Sequence, residues 1–189
     1  MKTTAQTATL PGTAWRHDGV TIILHWLTAA LVILQFLLAE TWGFFPKPVH
    51  HLMITGHMSF GLIFAAVFGL RIIWRLLPGR LHFNNGADLA SRAARLMHNM
   101  LYVLAGAEIP LGILTRWTDN HALSFFGFLI RSPFGTFSKA AGGFVDELHD
   151  LTAWTVIILA GAHAAVALAH HYLLQDGVLR RMLPWLKTP

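Results

Sequence analysis

The sequence of 189 residues contains no cysteine. That excludes disulfides, zinc–thiolate sites and iron–sulfur clusters. Charge is scarce as well. Asp, Glu, Lys and Arg make up 12% of the chain, about half the share of an ordinary soluble domain. No internal repeat or low-complexity tract is present. With 54% hydrophobic residues and a mean hydropathy of +0.52, a disordered chain is excluded and a soluble domain is disfavoured. The formal charge is +5 and the isoelectric point is near 10.2. In a soluble protein that balance points to nucleic acid. In a membrane protein it reflects cations held on the cytoplasmic side, so no nucleic-acid partner is expected and membrane lipid is.

What the chain does have is long apolar runs. Val20 to Ala39, Leu52 to Leu70 and Leu151 to Leu174 carry no Asp, Glu, Lys or Arg, and Leu96 to Thr115 carries only Glu108. Each approaches the roughly 20 residues that cross a hydrocarbon core as a helix. None alternates with the period of a membrane strand. The reading is an all-α fold: an integral membrane four-helix bundle forming one domain over 1–189. The helices are expected at about 20–40, 52–76, 93–115 and 148–174. A long periplasmic loop is expected over 116–147, lying on the outer surface. The first run follows a polar stretch and exceeds a signal core in length, so it is read as a retained span.

Orientation follows from the fourteen Lys and Arg residues. Lys2, Arg16, Arg71, Arg75, Arg80, Arg92, Arg95, Arg180, Arg181 and Lys187 fall on one side, and Lys47, Arg116, Arg131 and Lys139 on the other. The bias places both termini in the cytoplasm.

The chain also has twelve histidines. Those inside apolar runs are costly and therefore functional candidates. With helices alternating in direction, His57 and His149 fall near the outer ends of their runs, and His25 and His163 near the inner ends. His163 follows His149 by 14 residues, about 21 Å of axial rise and close to four whole turns, so both face one side of their helix. Two histidines from different helices at one depth suit bis-histidine haem ligation. Gly56, Gly61 and Gly161 would give a porphyrin room. The bland alternative is that each histidine is an interhelical hydrogen-bonding contact. Four histidines at two matched depths favour two haem sites. Without cysteine, the haem would be non-covalent.

The motifs around these histidines resemble the prokaryotic cytochrome b561 family. They are Leu-His-Trp at Leu24–Trp26, Gly-His-Met-Ser-Phe-Gly at Gly56–Gly61, Leu-His-Asp-Leu at Leu148–Leu151, and Gly-Ala-His-Ala-Ala-Val-Ala-Leu-Ala-His-His-Tyr at Gly161–Tyr172, with a matching tail over Asp176–Met182. The resemblance implies a four-helix protein of the bacterial inner membrane. It implies two b-type haems whose iron is bound by His25, His57, His149 and His163. It also implies an activity similar to superoxide oxidase, in which a periplasmic donor, most simply superoxide, passes electrons through the outer and then the inner haem to ubiquinone.

Other polar residues are weighed against that frame. Arg71, 14 residues after His57, falls at the inner haem level, as a propionate partner or a plain positive-inside anchor. His170, seven residues after His163, falls on the ligand face nearer the cytoplasm, as a quinone or proton group; His171 and His98 are weaker candidates. Glu108, two residues before Pro110, is read as structural or of subfamily-specific use, against the alternative of a proton relay. His17, His50, His51, His82 and His121 lie outside the runs and are read as solvated. Arg116, Arg131 and Lys139 are candidates for steering an anionic donor. The rival to the enzyme reading is a non-catalytic cytochrome b subunit relaying electrons between quinone and a periplasmic redox protein, such as a hydrogenase.

Overall fold

The computed structural model describes residues 17–77, 88–183 and 185. Lys2, Arg16, Arg80 and Lys187, four of the cations behind the orientation, and His82 lie outside the described residues.

Three of the four long helices start at a side-chain cap, and the other starts at prolines. Helix α1 (Gly19–Thr41) is capped by Asp18, whose Oδ1 accepts from the Thr21 amide at 3.1 Å and from Trp74 Nε1 at 3.2 Å. Helix α2 (Lys47–Leu76) opens on Pro46 and Pro48, where a missing amide proton costs nothing. Asp88 caps α3 (Leu89–Thr118), and Ser138 caps α4 (Lys139–Ala169). Each of these four helices contains a stretch long and apolar enough to cross a membrane.

The helices run up and down. The α1–α2 turn and the α3–α4 connection share one end, here the hairpin end. The start of α1 and the end of α4 share the other, here the termini end, where Trp26 Nε1 donates to the Met182 carbonyl at 2.9 Å. Helix α1 packs chiefly on α2, and α3 on α4. Leu31, Phe64, Phe68 and Ala105 form the buried centre, with Tyr102 and Ile109 against it. Ile23, Ile33, Val103 and Ile158 point outward, each more than half exposed. Apolar side chains on the outside of a bundle are what lipid, not water, accommodates.

The connection between α3 and α4 differs from the expected 116–147 loop. Thr118 ends α3 and α4 already begins at Lys139, because Ser138 caps it and the Gly142–Gly143 pair is carried inside the helix. Between them, strands β1 (Leu123–Phe125) and β2 (Phe128–Ile130) form an antiparallel hairpin. Its two-residue turn has positive φ at Phe126 and Gly127, as a hairpin of this length requires. The hairpin does not simply lie on the surface. Leu123 and Ser124 are buried, and the Phe126 amide donates to Ser59 Oγ on α2 at 2.8 Å. Ser59 is fully buried and its hydroxyl donates to the Thr55 carbonyl at 2.7 Å. Phe126, Phe128, Phe134 and Phe144 remain exposed around this end, as an interfacial aromatic belt would be.

At the termini end, α4 widens into a π turn over His170–Leu174. Gln175 then takes the left-handed conformation at φ +52, reversing the chain.

Candidate functional site

Two histidine pairs stand between helices. His57 on α2 faces His149 on α4 near the hairpin end, with ring centroids 6.4 Å apart. His25 on α1 faces His163 on α4 toward the termini end, also at 6.4 Å. A metal–imidazole bond is about 2.0–2.1 Å, and a ring nitrogen lies about 1.15 Å from the ring centre, so two imidazoles on opposite sides of one metal have centroids roughly 6.3–6.5 Å apart. Both pairs meet that spacing. Among the described residues no group of three or more His, Cys, Asp or Glu could hold a metal ion. A metal inside a macrocycle needs only the two axial groups.

In the hairpin-end pair, His57 keeps Nε2 available as a donor atom. His57 Nδ1 lies 3.1 Å from the Gln35 carbonyl oxygen. A carbonyl only accepts, so Nδ1 carries the proton and Nε2 keeps its lone pair. Gln35 Nε2 donates back to the His57 carbonyl at 2.9 Å. The edge of Trp42 packs on the His57 ring, and His50 stacks on Trp42, so His50 is a packing group rather than a merely solvated one. His149 Nδ1 lies 3.1 Å from Glu108 Oε1. That is ion-pair distance without hydrogen-bond alignment, and Nδ1 is left unbonded.

A cavity of about 620 Å³ opens between these two histidines. Gly61, Ala105, Gly112 and Ala153 give it small walls, and Val32, Phe36 and Ile109 make it apolar. Among the described residues, the buried side-chain atoms without a hydrogen-bond partner are Gln35 Oε1, Glu108 Oε2, Thr115 Oγ1 and His149 Nδ1. All four belong to residues lining this cavity. Unsatisfied buried polar groups are rare and call for a cause; a bound group with polar edges supplies one. The cavity mouth carries Glu40, Asp119, Asp146, Glu147 and Asp150 against a single cation, Arg116. Of the other two cations expected to guide an anion, Lys139 lines a smaller recess with Asp119 and His121, and Arg131 lines neither space.

The termini-end pair is arranged differently. Arg71 Nη2 lies 2.9 Å from His25 Nδ1. Guanidinium only donates, so this contact puts the imidazole proton on Nε2. Were His25 to bind a metal through Nε2, the proton would sit on Nδ1 and Arg71 would have to leave that nitrogen. The Arg71 guanidinium also sits 5.0 Å from the Tyr102 ring, beside Arg75. His98 packs its ring 5.0 Å from His163, nearer than His25 does. His170 turns toward Asp176, whose Oδ2 accepts from Nδ1. His171, the weaker candidate beside it, is buried at 5% exposure against Tyr172. Extrapolating α-helical rotation to His170 and His171 does not anticipate the π turn that begins there.

Gln35 and Trp42 escaped the sequence reading. Gln35 had a signal, being the one amide in an otherwise apolar first run. Trp42 had none. Of the glycines proposed to make room, a Cβ at Gly61 would stand 2.8 Å from Gln35 Nε2, and one at Gly161 would meet nothing. Gly112 was overlooked, although its Cβ would stand 3.1 Å from His149 Cε1.

Comparison with known proteins agrees with this architecture. The chain is 32% identical over 181 residues to cytochrome b561 homolog 1 of Escherichia coli K12, covering 89% of this chain and 97% of that protein. It is 29% identical to cytochrome b561 homolog 2 of the same organism, covering 89% and 91%. It is 28% identical to the "Probable superoxide oxidase CybB" of Yersinia pestis, covering 89% and 96%. The family model for prokaryotic cytochrome b561 matches residues 16–185. With four apolar helices and nearly its whole length matched, the chain belongs to the prokaryotic cytochrome b561 family, membrane electron-transfer proteins for which b-type haem is the implied cofactor.

Proposed function

We propose that this protein is a two-haem conduit of the bacterial inner membrane that moves electrons from a periplasmic donor to ubiquinone. The hairpin end faces the periplasm and both termini the cytoplasm, as the Lys and Arg distribution favours. The observation that carries the reading is the repeated 6.4 Å spacing, once near each end of the bundle.

His57 and His149 would hold one haem and His25 and His163 the other. When bound, each haem supplies one-electron carriage at an iron with no open coordination position. The Gln35 carbonyl fixes the His57 tautomer, as outer partners of metal-binding histidines commonly do. Arg71, released from His25, would bind a propionate as a charge-assisted partner. The apolar walls around Phe36 and Ile109 exclude water from the hairpin-end cavity. At the termini end, His170 is proposed to line the quinone site, with His98 and His171 as neighbours. Its Nδ1, bonded to Asp176, holds a proton close to where a reduced quinone would need one.

Superoxide as donor is supported by the printed name of the Yersinia relative. The acidic mouth supports a second reading, in which a cationic redox protein docks at the hairpin end and this chain serves as its membrane subunit. One experiment separates them. Purified protein is first titrated for haem by pyridine haemochrome, with two per chain expected. It is then mixed with superoxide and ubiquinone in stopped flow. Quinone reduction by the protein alone supports the enzyme; two haems with no such reduction support the relay subunit.

A further inference from the structure

Helix α3 carries none of the four paired histidines, yet it meets one of them twice. Glu108 and Gly112 are one helical turn apart and share a face. Glu108 Oε1 lies 3.1 Å from His149 Nδ1. The position of a Gly112 Cβ lies 3.1 Å from His149 Cε1, so any larger residue would push the ring away. The glycine leaves the groove, and the glutamate puts a carboxyl oxygen beside the ring's far nitrogen at ion-pair distance. Glu108 is mostly buried, with 18% of its side chain exposed, and its Oε2 has no hydrogen-bond partner. A carboxyl under-bonded inside an apolar bundle is costly, which favours a task that repays it.

We infer that Glu108 is a positioning residue that turns His149 Nε2 toward the cavity and lowers the reduction potential of the hairpin-end haem. This rests on the two-haem reading above. A carboxylate beside Nδ1 makes the imidazole a more basic ligand. A more electron-rich ligand stabilises the oxidised iron over the reduced iron. At the other end the charged group is a guanidinium: Arg71, 2.9 Å from His25 Nδ1 in this structure, would leave that nitrogen on ligation and pair with a propionate, staying a cation at that level. Positive charge there favours the reduced state. The protein thus puts opposite charges next to the two sites, anionic near the hairpin and cationic near the termini. That order favours electron movement from the hairpin end to the termini end. His57, whose partner is the neutral Gln35 carbonyl, contributes no such bias.

The test uses the haem-loaded, full-length protein and redox titration of its visible spectrum. Wild type is titrated with Glu108→Gln, Glu108→Asp and His149→Ala, each with its haem content measured. In Glu108→Gln the component that His149→Ala lacks should shift upward, by about 59 mV for a tenfold change in its one-electron equilibrium. The other component should stay in place, and Glu108→Asp should recover part of the shift. Two retained haems with unchanged potentials overturn the inference and leave the two-haem reading standing. So does a shift confined to the other component. A wild-type protein with fewer than two haems overturns the two-haem reading itself, and the inference with it. Should Glu108→Gln fail to hold haem, infrared difference spectra of wild-type protein carrying isotope-labelled glutamate decide. A labelled carboxyl band that moves with hairpin-end oxidation supports the role, and its absence overturns it.

Discussion

Gln35 and His57 clasp each other across α1 and α2. The histidine ring nitrogen reaches the Gln35 carbonyl at 3.1 Å while the Gln35 amide donates to the His57 carbonyl at 2.9 Å. The amide half of this clasp is removable by mutation and the carbonyl half is not. Gln35→Ala should therefore weaken haem retention at the hairpin end by about tenfold, the lower range for outer partners of metal ligands. Gly61→Ala should act through the same amide, because its new Cβ would stand 2.8 Å from Gln35 Nε2 and displace it. The double variant should then be no worse than either single one, a non-additivity expected of groups that share a contact. Haem titration of the three variants measures it.

Ser59 ties the hairpin to α2. Its Oγ accepts from the Phe126 amide, a residue held at φ +47 where non-glycine residues rarely sit. Ser59→Ala leaves that amide without its acceptor, at a cost of about 1–3 kcal/mol if it stays buried. The expected outcome is local release. Hydrogen exchange should quicken over Leu123–Ile130 while the helices keep their protection and the haem content is unchanged. Uniform protection across the hairpin would show that the bond does not hold it.

The four spans were legible because a lipid-facing helix must be apolar for its whole length, and such runs survive any choice of loop geometry. The two histidine levels were legible because helix rise converts sequence distance into depth, and the structure brings His57 to His149 and His25 to His163. What was not legible depends on contacts between distant segments. Gln35 matters only because α2 passes beside it. Leu123–Ile130 forms a hairpin because Ser59, on another helix, accepts its turn amide. The early start of α4 turned on Ser138 outweighing two glycines, a balance of small local terms. Rotation along α4 predicted His163 from His149 but not the surroundings of His170, because a π turn begins at that residue.

The turn after α4 should be sensitive to acid. Partial burial, the largest single influence on Asp176, works to raise its carboxyl; the hydrogen bonds from His170 and the Val178 amide, with His170 and Arg181 nearby, together hold it below the ordinary value of 3.8. A carboxylate depressed in the folded state contributes stability that is present above its unfolded pKa and lost as pH falls through the folded one. The turn should therefore stay closed through the neutral range and down to about pH 4, then open at lower pH as Asp176 takes up a proton. Asp176→Asn should show the open form already at neutral pH. Hydrogen exchange over His170–Arg181 as a function of pH is the check, and a transition centred above pH 5 would assign the opening to another group.

The charge of the donor should be readable from salt dependence. Five carboxylates, those of Glu40, Asp119, Asp146, Glu147 and Asp150, line the hairpin-end cavity near its mouth, opposed there by Arg116. Arg116 is partly engaged, its Nε donating to the Ala122 carbonyl at 3.4 Å. The field at the mouth is thus negative, and it acts over a Debye length of about 8 Å at physiological ionic strength. A cationic redox protein is drawn in, so its electron-transfer rate should fall as salt is added. Superoxide, an anion, meets the same field as a barrier, and its rate should rise with salt. Asp146→Asn together with Asp150→Asn should slow the first donor, speed the second and flatten both salt curves, with haem spectra unaltered. If Arg116, Arg131 and Lys139 governed approach instead, superoxide would slow with added salt and slow further when those three are neutralised. Stopped-flow rates at low and high ionic strength, with superoxide and with a basic cytochrome as donors, distinguish the two fields by the sign of the slope.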